Sequence, residues 1–198
     1  MNNESKIAVV DIETTGFFDN GGLIIEVGIV ELNLKNGEVA EKFNSLVREP
    51  ELSEKDRKGW IFENSDMNFN DVEKAPLLAE MLPEIQKILD EYSLGATAYN
   101  KKFDFGFLKD RGVKAKELPC IMLTATPVVK IPKNWGSKYK WPSVEEAWRY
   151  FFPDTPYDEL HRGADDAKHE ALIAYELYKL GKFKVEGCEY TPEEKDGI

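Results

Sequence analysis

The sequence predicts an α/β fold in which helices flank a central, mixed, five-stranded sheet. Two observations lead there. Three apolar, strand-type runs open the chain, and helical and strand patterns then alternate before two helices close it. A hydrophobic content of 42% in 198 residues suffices for one domain with its own core and is too little for two large ones.

The elements follow in order. Ile7–Val10 is a short apolar run that ends at Asp11, and Leu23–Leu32 is a second run interrupted by Glu26. Asn36-Gly37 is a two-residue hairpin signal, so Val39–Val47 is expected to return as a third antiparallel strand. Arg48–Glu73 is polar, anchored by Trp60, Ile61, Phe62 and Phe69, and reads as a long connection with helical turns. Pro76–Tyr92 spaces Leu77, Met81, Ile85, Ile88 and Leu89 as a helix does, and Gly95 ends it. Ala96–Tyr99 is a fourth strand, Asp104–Arg111 a helix and Cys120–Leu123 a fifth strand. Ser143 caps a helix through Phe151, with Glu146 as its capping-box partner. Ala164–Leu180 is a long helix. Residues 1–182 are therefore expected to form the domain and 183–198 a loose tail.

Charge and composition exclude several classes. A net charge of −11 does not suit a protein that coats nucleic acid without specificity. The charge is uneven, however: Tyr99–Lys140 holds ten basic residues against three acidic ones. Cys120 and Cys188 lie far apart, so neither a disulfide framework nor a zinc ribbon is expected, and a reducing, cytoplasmic setting follows. Met1–Lys6 carries no signal-peptide pattern, and no run is long enough to span a bilayer, so no membrane partner is expected.

The acids carry the chemistry. Asp11 and Glu13 stand two apart at a strand end, so both project from one face and repel unless a cation lies between them. Two solvated acids at a strand end are common, and the pair alone decides nothing. Thr14-Thr15-Gly16 is a tight turn whose amides can face a ligand. Asp104 opens a helix beside Phe103, where an acid is often only a dipole partner. Asp165 and Asp166 begin the last helix about 100° apart, so only one can face a site. His161 precedes them in a loop.

Together, Val10-Asp11-Ile12-Glu13-Thr14-Thr15-Gly16, Tyr99-Asn100-Lys101-Lys102-Phe103-Asp104 and His161-Arg162-Gly163-Ala164-Asp165-Asp166-Ala167 resemble the three motifs of the DEDDh, or DnaQ-like, exonucleases. That group includes polymerase proofreading subunits, ribonuclease T and oligoribonuclease. The resemblance covers roughly residues 6 to 180 and implies a ribonuclease H-like fold. It carries the four acids onto Asp11, Glu13, Asp104 and Asp166. The family's histidine lies five residues before the last acid, which is His161 and selects Asp166 over Asp165. Two departures touch substrate preference only: Tyr99 stands where many members have His, and Lys130–Trp141 is longer and more basic than a minimal member needs.

The resemblance implies hydrolysis of phosphodiesters at 3′ ends of single-stranded nucleic acid, DNA favoured, with release of nucleoside monophosphates. Two Mg²⁺ or Mn²⁺ ions about 3.5–4 Å apart neutralise the phosphate and activate water. Hard cations prefer carboxylate oxygen, which suits four acids and no metal cysteine. Asp11 is expected to bridge the ions, Glu13 and Asp166 to complete the water-activating site, and Asp104 to support the second ion. His161 is the expected general base. Thr14, Thr15, Gly16 and Asn100 are expected against the substrate. Phe103 and Phe107 are expected to stack on its bases, or else to pack in the core. Lys133, Trp135, Lys138 and Lys140 interleave bases and aromatics as a single-strand path does, or form a solvated loop. A polymerase or another replication or repair protein is a possible partner by the same resemblance. An RNA-trimming enzyme of the oligoribonuclease or ribonuclease T type, and an idle nucleic-acid-binding protein on the same fold, are the alternatives.

Overall fold

The computed structural model describes residues 5–133, 136 and 138–191. Its four strands are β1 (Lys6–Thr14), β2 (Ile24–Asn33), β3 (Val39–Leu46) and β4 (Ala96–Thr97), in the order β3-β2-β1-β4. The first three form an antiparallel meander, and β4 pairs parallel to β1. The helices are α1 (Trp60–Asn64), α2 (Phe69–Lys74), α3 (Leu78–Asp90), α4 (Lys101–Asp110), α5 (Ile121–Val129), α6 (Val144–Phe151) and α7 (Gly163–Lys179). Ser143 and Glu146 form a complete capping box at α6.

The sheet has four strands, not five. Cys120–Leu123 is the start of α5, with Ile121 and Ala125 buried one helical turn apart. A four-residue apolar run fits a buried helix as well as a strand. What remains of a fifth strand is one parallel bridge between Glu117 and Ala96, after which Pro119 cannot donate to a ladder. The β2–β3 connection is also longer than the two-residue turn expected from Asn36-Gly37. Residues 34–38 form the loop, closed by Asn33 N–H to the Glu38 carbonyl at 2.9 Å. Phe183 and Val185, expected in a loose tail, are buried in the core, while residues 192–198 lie outside the described residues.

Each sheet face has its own core. Ile7 and Val9 of β1 pack with Val30, Leu32, α5, α6 and α7. Ala8, Val10 and Ile12 pack with Val27, Ile29, α3 and α4. Because side chains alternate along a strand, Asp11 and Glu13 continue the α7-facing series of Ile7 and Val9. Their partners on β2 are Gly28 and Glu26, which face the same side.

Gly28 decides how close α7 comes. A Cβ placed there would lie 2.1 Å from the Gly163 carbonyl carbon, so the first turn of α7 rests directly on the β2 backbone. Ala164, Ala167, Ala171 and Ala174 keep the rest of the buried face of α7 shallow. We predict that Gly28→Ala lowers stability by about 1–3 kcal/mol, the scale of overpacking. Gly106 lies inside α4 with open space around its Cβ direction, so Gly106→Ala raises stability by about 0.5–1 kcal/mol. Urea unfolding of both variants checks this, and equal effects would contradict the packing argument.

Candidate metal centre

The end of β1, the start of α4, the connection before α7 and Glu170 of α7 converge on one cavity of about 180 Å³. Asp11, Glu13, Asn100, Asp104, Glu159, His161 and Glu170 are among its lining residues. Ligand atoms of Glu13, His161 and Asp166 lie within 4.8 Å of one another. Asp104 and Asp166 are only 3% and 1% exposed. Asp165, on the outer side of α7, sits 3.6 Å from His169 instead.

Local structure holds each group. Asp104 accepts the Ile12 N–H at 3.4 Å, which ties α4 to β1. One oxygen of Asp166 accepts the Arg162 N–H at 2.8 Å, and the other accepts the Tyr157 hydroxyl. The Tyr157 ring in turn stacks on His169, with centroids 3.9 Å apart. His161 adopts a left-handed backbone, φ 55°, which costs about 1–3 kcal/mol in a non-glycine residue. The next residue pins it: Arg162 donates through Nε and Nη2 to Glu26, which also accepts the Gly163 N–H at 3.0 Å. Arg162 further reaches Asp66 at 3.2 Å. The indole of Trp60 meets the His161 ring edge-on at 4.8 Å.

Electrostatics set this cluster apart from an ordinary acidic surface. Burial, with the charges of Glu170, Glu13, Asp104 and Asp166 added, pushes the Asp11 carboxyl well above its usual range. Burial and Asp166 do the same to Glu13. Burial raises Asp104 to about 7, and burial with the Asp166 charge raises Glu159 to about 7. Asp166 is raised by burial against the opposing hydrogen bonds of Tyr157 and Arg162. Among the described residues, no lysine or arginine lines the cavity. Asp11 Oδ2 is closed off from solvent with no hydrogen-bond partner among the described residues. An all-oxygen donor set, one imidazole and an orphaned buried carboxylate oxygen fit a hard divalent cation.

The expected substrate groups fall into different settings. Thr14, Thr15, Gly16, Phe17, Trp60 and Phe103 line a second cavity of about 270 Å³ beside Glu13. There the Thr14 hydroxyl donates to the Gly16 carbonyl and the Thr15 hydroxyl accepts the Leu23 N–H, so the turn is held in shape. Asn100 and Phe103 also border a larger groove with Phe17, Lys102 and Trp141. Phe107 is fully buried and therefore packs in the core, out of reach of a base. Lys133 and Lys138 are exposed, but Lys140 is ion-paired to Glu146 at 2.6 Å. Trp135 lies outside the described residues.

Sequence reasoning overlooked Tyr157, Glu159, Glu170, Trp60 and Phe17 as site residues. Glu170 had a legible signal, since it stands one helical turn after Asp166 and so shares its face. Tyr157 and Glu159 lie in an irregular connection, where spacing carries no directional information.

Fold and donor set together define an α/β domain with a buried carboxylate cluster suited to a divalent cation. A family model described as exonuclease, of the ribonuclease T type, matches residues 8–174, and the chain belongs to that family, within the DnaQ-like (DEDDh) group of the ribonuclease H-like superfamily. It is 29% identical over 188 residues to a PolC-type DNA polymerase III of Clostridium perfringens, covering 90% of this chain and 12% of that protein. It is 27% identical over 177 residues to the 3′-5′ exonuclease DinG of Staphylococcus haemolyticus, covering 88% of this chain and 18% of that one. The chain thus spans a small part of the curated relatives it matches. Among solved structures, the nuclease domain of 3′hExo, a DEDDh family member bound to rAMP, superposes with a TM-score of 0.68 at 18% identity, over 92% of this chain and 96% of that one.

The raised carboxyls have a pH signature. A folded pKa above the unfolded value contributes stability that is fully present below the unfolded carboxylate range and is lost as pH rises through the folded value, here about 7 for Asp104 and Glu159. The metal-free protein in chelator is therefore expected to melt at a higher temperature at about pH 5.5 than at about pH 8, and Mg²⁺ to raise Tm more at the higher pH. Thermal melts at both values, with and without Mg²⁺, check this; a metal-free Tm that climbs over the interval contradicts it.

Proposed function

We propose that the chain is a metal-dependent 3′→5′ exonuclease domain that hydrolyses phosphodiester bonds at the ends of single-stranded nucleic acid, DNA favoured, releasing nucleoside monophosphates. The observation that carries this reading is the gathering of Glu13, His161 and Asp166, the first two of which line one cavity with Asp11 and Asp104. The preference for DNA follows the PolC-type relative, whose name is that of a DNA polymerase, and the 3′→5′ direction agrees with the name of the exonuclease DinG. The PolC likeness also supports work beside a polymerase or another replication protein.

Two Mg²⁺ or Mn²⁺ ions, when bound, supply charge neutralisation at the phosphate and a more acidic water. Asp11, Glu13, Asp104 and Asp166 would hold them. His161 takes the proton of the attacking water, and its place is kept by the Arg162–Glu26 clamp on the next residue. Tyr157 and the Arg162 amide orient Asp166. The pocket lined by the Thr14–Gly16 turn, Phe17, Trp60 and Phe103 takes the terminal nucleoside, with aromatic faces for its base. Lys133 and Lys138, both exposed, would meet backbone phosphates upstream, whereas Lys140 is engaged by Glu146.

The decisive assay follows 5′-labelled single- and double-stranded DNA and RNA in Mg²⁺. A descending ladder on single strands is expected, with DNA cut faster. No metal-dependent cleavage of any of the four would overturn the reading. Asp166→Asn should abolish turnover, while Asp165→Asn should be mild. His161→Ala should slow hydrolysis by about 10²–10⁴-fold, the scale of a lost general base. Neutralising Lys133 and Lys138 should raise KM and flatten its salt dependence, by a slope of about 0.7 per lost phosphate contact, with kcat unchanged.

A further inference from the structure

Glu170 is the most enclosed acid of the cavity that the proposed mechanism leaves without a task. It is 3% exposed, lies one turn beyond Asp166 on the buried face of α7, and lines the same cavity as Asp11 and Asp104. One oxygen, Oε2, accepts the Tyr99 N–H at 3.3 Å. It forms no ion pair with any described lysine, arginine or histidine. Such a carboxylate is costly to bury, because a single long hydrogen bond does not replace its hydration.

Its neighbours show which part of the site it faces. The Tyr99 amide that it holds lies just before α4, which carries Asp104. Glu170 lines the cavity together with Asp11 and Asp104, whereas Asp166 is not among the lining residues, so Glu170 stands at the Asp11–Asp104 side. Glu13, His161 and Asp166 gather at the other. The Asp11–Asp104 side is also where a buried carboxylate oxygen, Asp11 Oδ2, lacks any partner. A fifth acid in the same cavity as an orphaned carboxylate oxygen adds repulsion unless a cation is shared between them.

We propose that Glu170 is a fifth acidic group of the metal centre, serving the divalent ion that Asp11 and Asp104 would hold, through its carboxylate or through a water on that ion. This rests on the metal-centre reading above. Two acids one turn apart on α7 then divide the work: Asp166 faces the Glu13–His161 side, and Glu170 the Asp11–Asp104 side. Glu170 also holds the Tyr99 amide, so one side chain couples the start of the second motif to that ion.

The test uses the whole chain and reads metal binding, not turnover. Glu170→Gln keeps the shape and an acceptor for Tyr99 N–H but removes the charge; Glu170→Asp keeps the charge. Titration calorimetry with Mn²⁺ should give two ions for the unaltered protein. Glu170→Gln should weaken one of them by about 10–100-fold, the scale for losing a group that supports a metal site, with Glu170→Asp in between. In chelator, Glu170→Gln should melt at or above the unaltered protein, and its Mg²⁺-induced rise in Tm should be smaller. Two ions bound by Glu170→Gln with unchanged affinity would overturn the proposal. So would a lower Tm in chelator with an unchanged Mg²⁺ response, which would make Glu170 a support for Tyr99 alone. Failure of the unaltered protein to bind Mn²⁺ would instead sink the metal-centre reading itself.

Discussion

The contact between Gly28 and Gly163 sets the geometry of everything functional in this domain. Gly28 pairs with Asp11 across the β1–β2 ladder, and both face α7. Removing a side chain at that one point lets the first turn of α7 rest on the sheet backbone. Asp166 and Glu170 then come down within reach of the acids on β1. A methyl group between the two backbones would lift the helix and widen the cluster, because packed interiors transmit displacement instead of absorbing it.

That close approach creates an electrostatic problem. Acids from β1, α4, α7 and the connection before α7 share one small cavity, and burial raises their pKa values together. The protein answers with positive groups placed beside the cluster and not inside it. Arg162 neutralises Glu26, an almost fully buried acid that neighbours Glu13 across the ladder. The same ion pair holds the left-handed turn at His161. The interior of the cavity is left acidic, which is the state in which a carboxylate cluster attracts divalent cations.

The surroundings of the acids divide by rigidity. The Thr14–Gly16 turn is locked by its own hydroxyls, and Asp166 is held from two sides. The aromatic groups around the cavity beside Glu13, Phe17 and Trp60, are by contrast largely exposed, at 72% and 58%. The carboxylate Asp166 and the turn beside Glu13 are thus held in shape by their own hydrogen bonds, while the apolar walls keep exposed surface.

Much of this was legible in the residue order. The alternation Ile7, Val9, Asp11, Glu13 places two acids on one face, since the side-chain period of a strand is two. The capping box at Ser143 needs only four consecutive residues. The helical angle between Asp165 and Asp166 means that only one of them faces inward. These are local rules, and the local chain obeys them. The fifth strand at Cys120–Leu123 failed because a short apolar run is ambiguous until its neighbours are known, and Pro119 with α7 beside it favoured a helix. Phe107 could be assigned to a base or to the core only once its burial was visible. Tyr157 and Glu159 entered the site for a reason no local pattern contains: residues distant from β1 in sequence reach its acids because α7 packs on the sheet through a pair of glycines, Gly163 on the helix and Gly28 on β2. The sequence by itself determined which acids exist and which way each one points along its own element. Only the tertiary structure decided which of them meet, because that depends on how closely two backbones can approach.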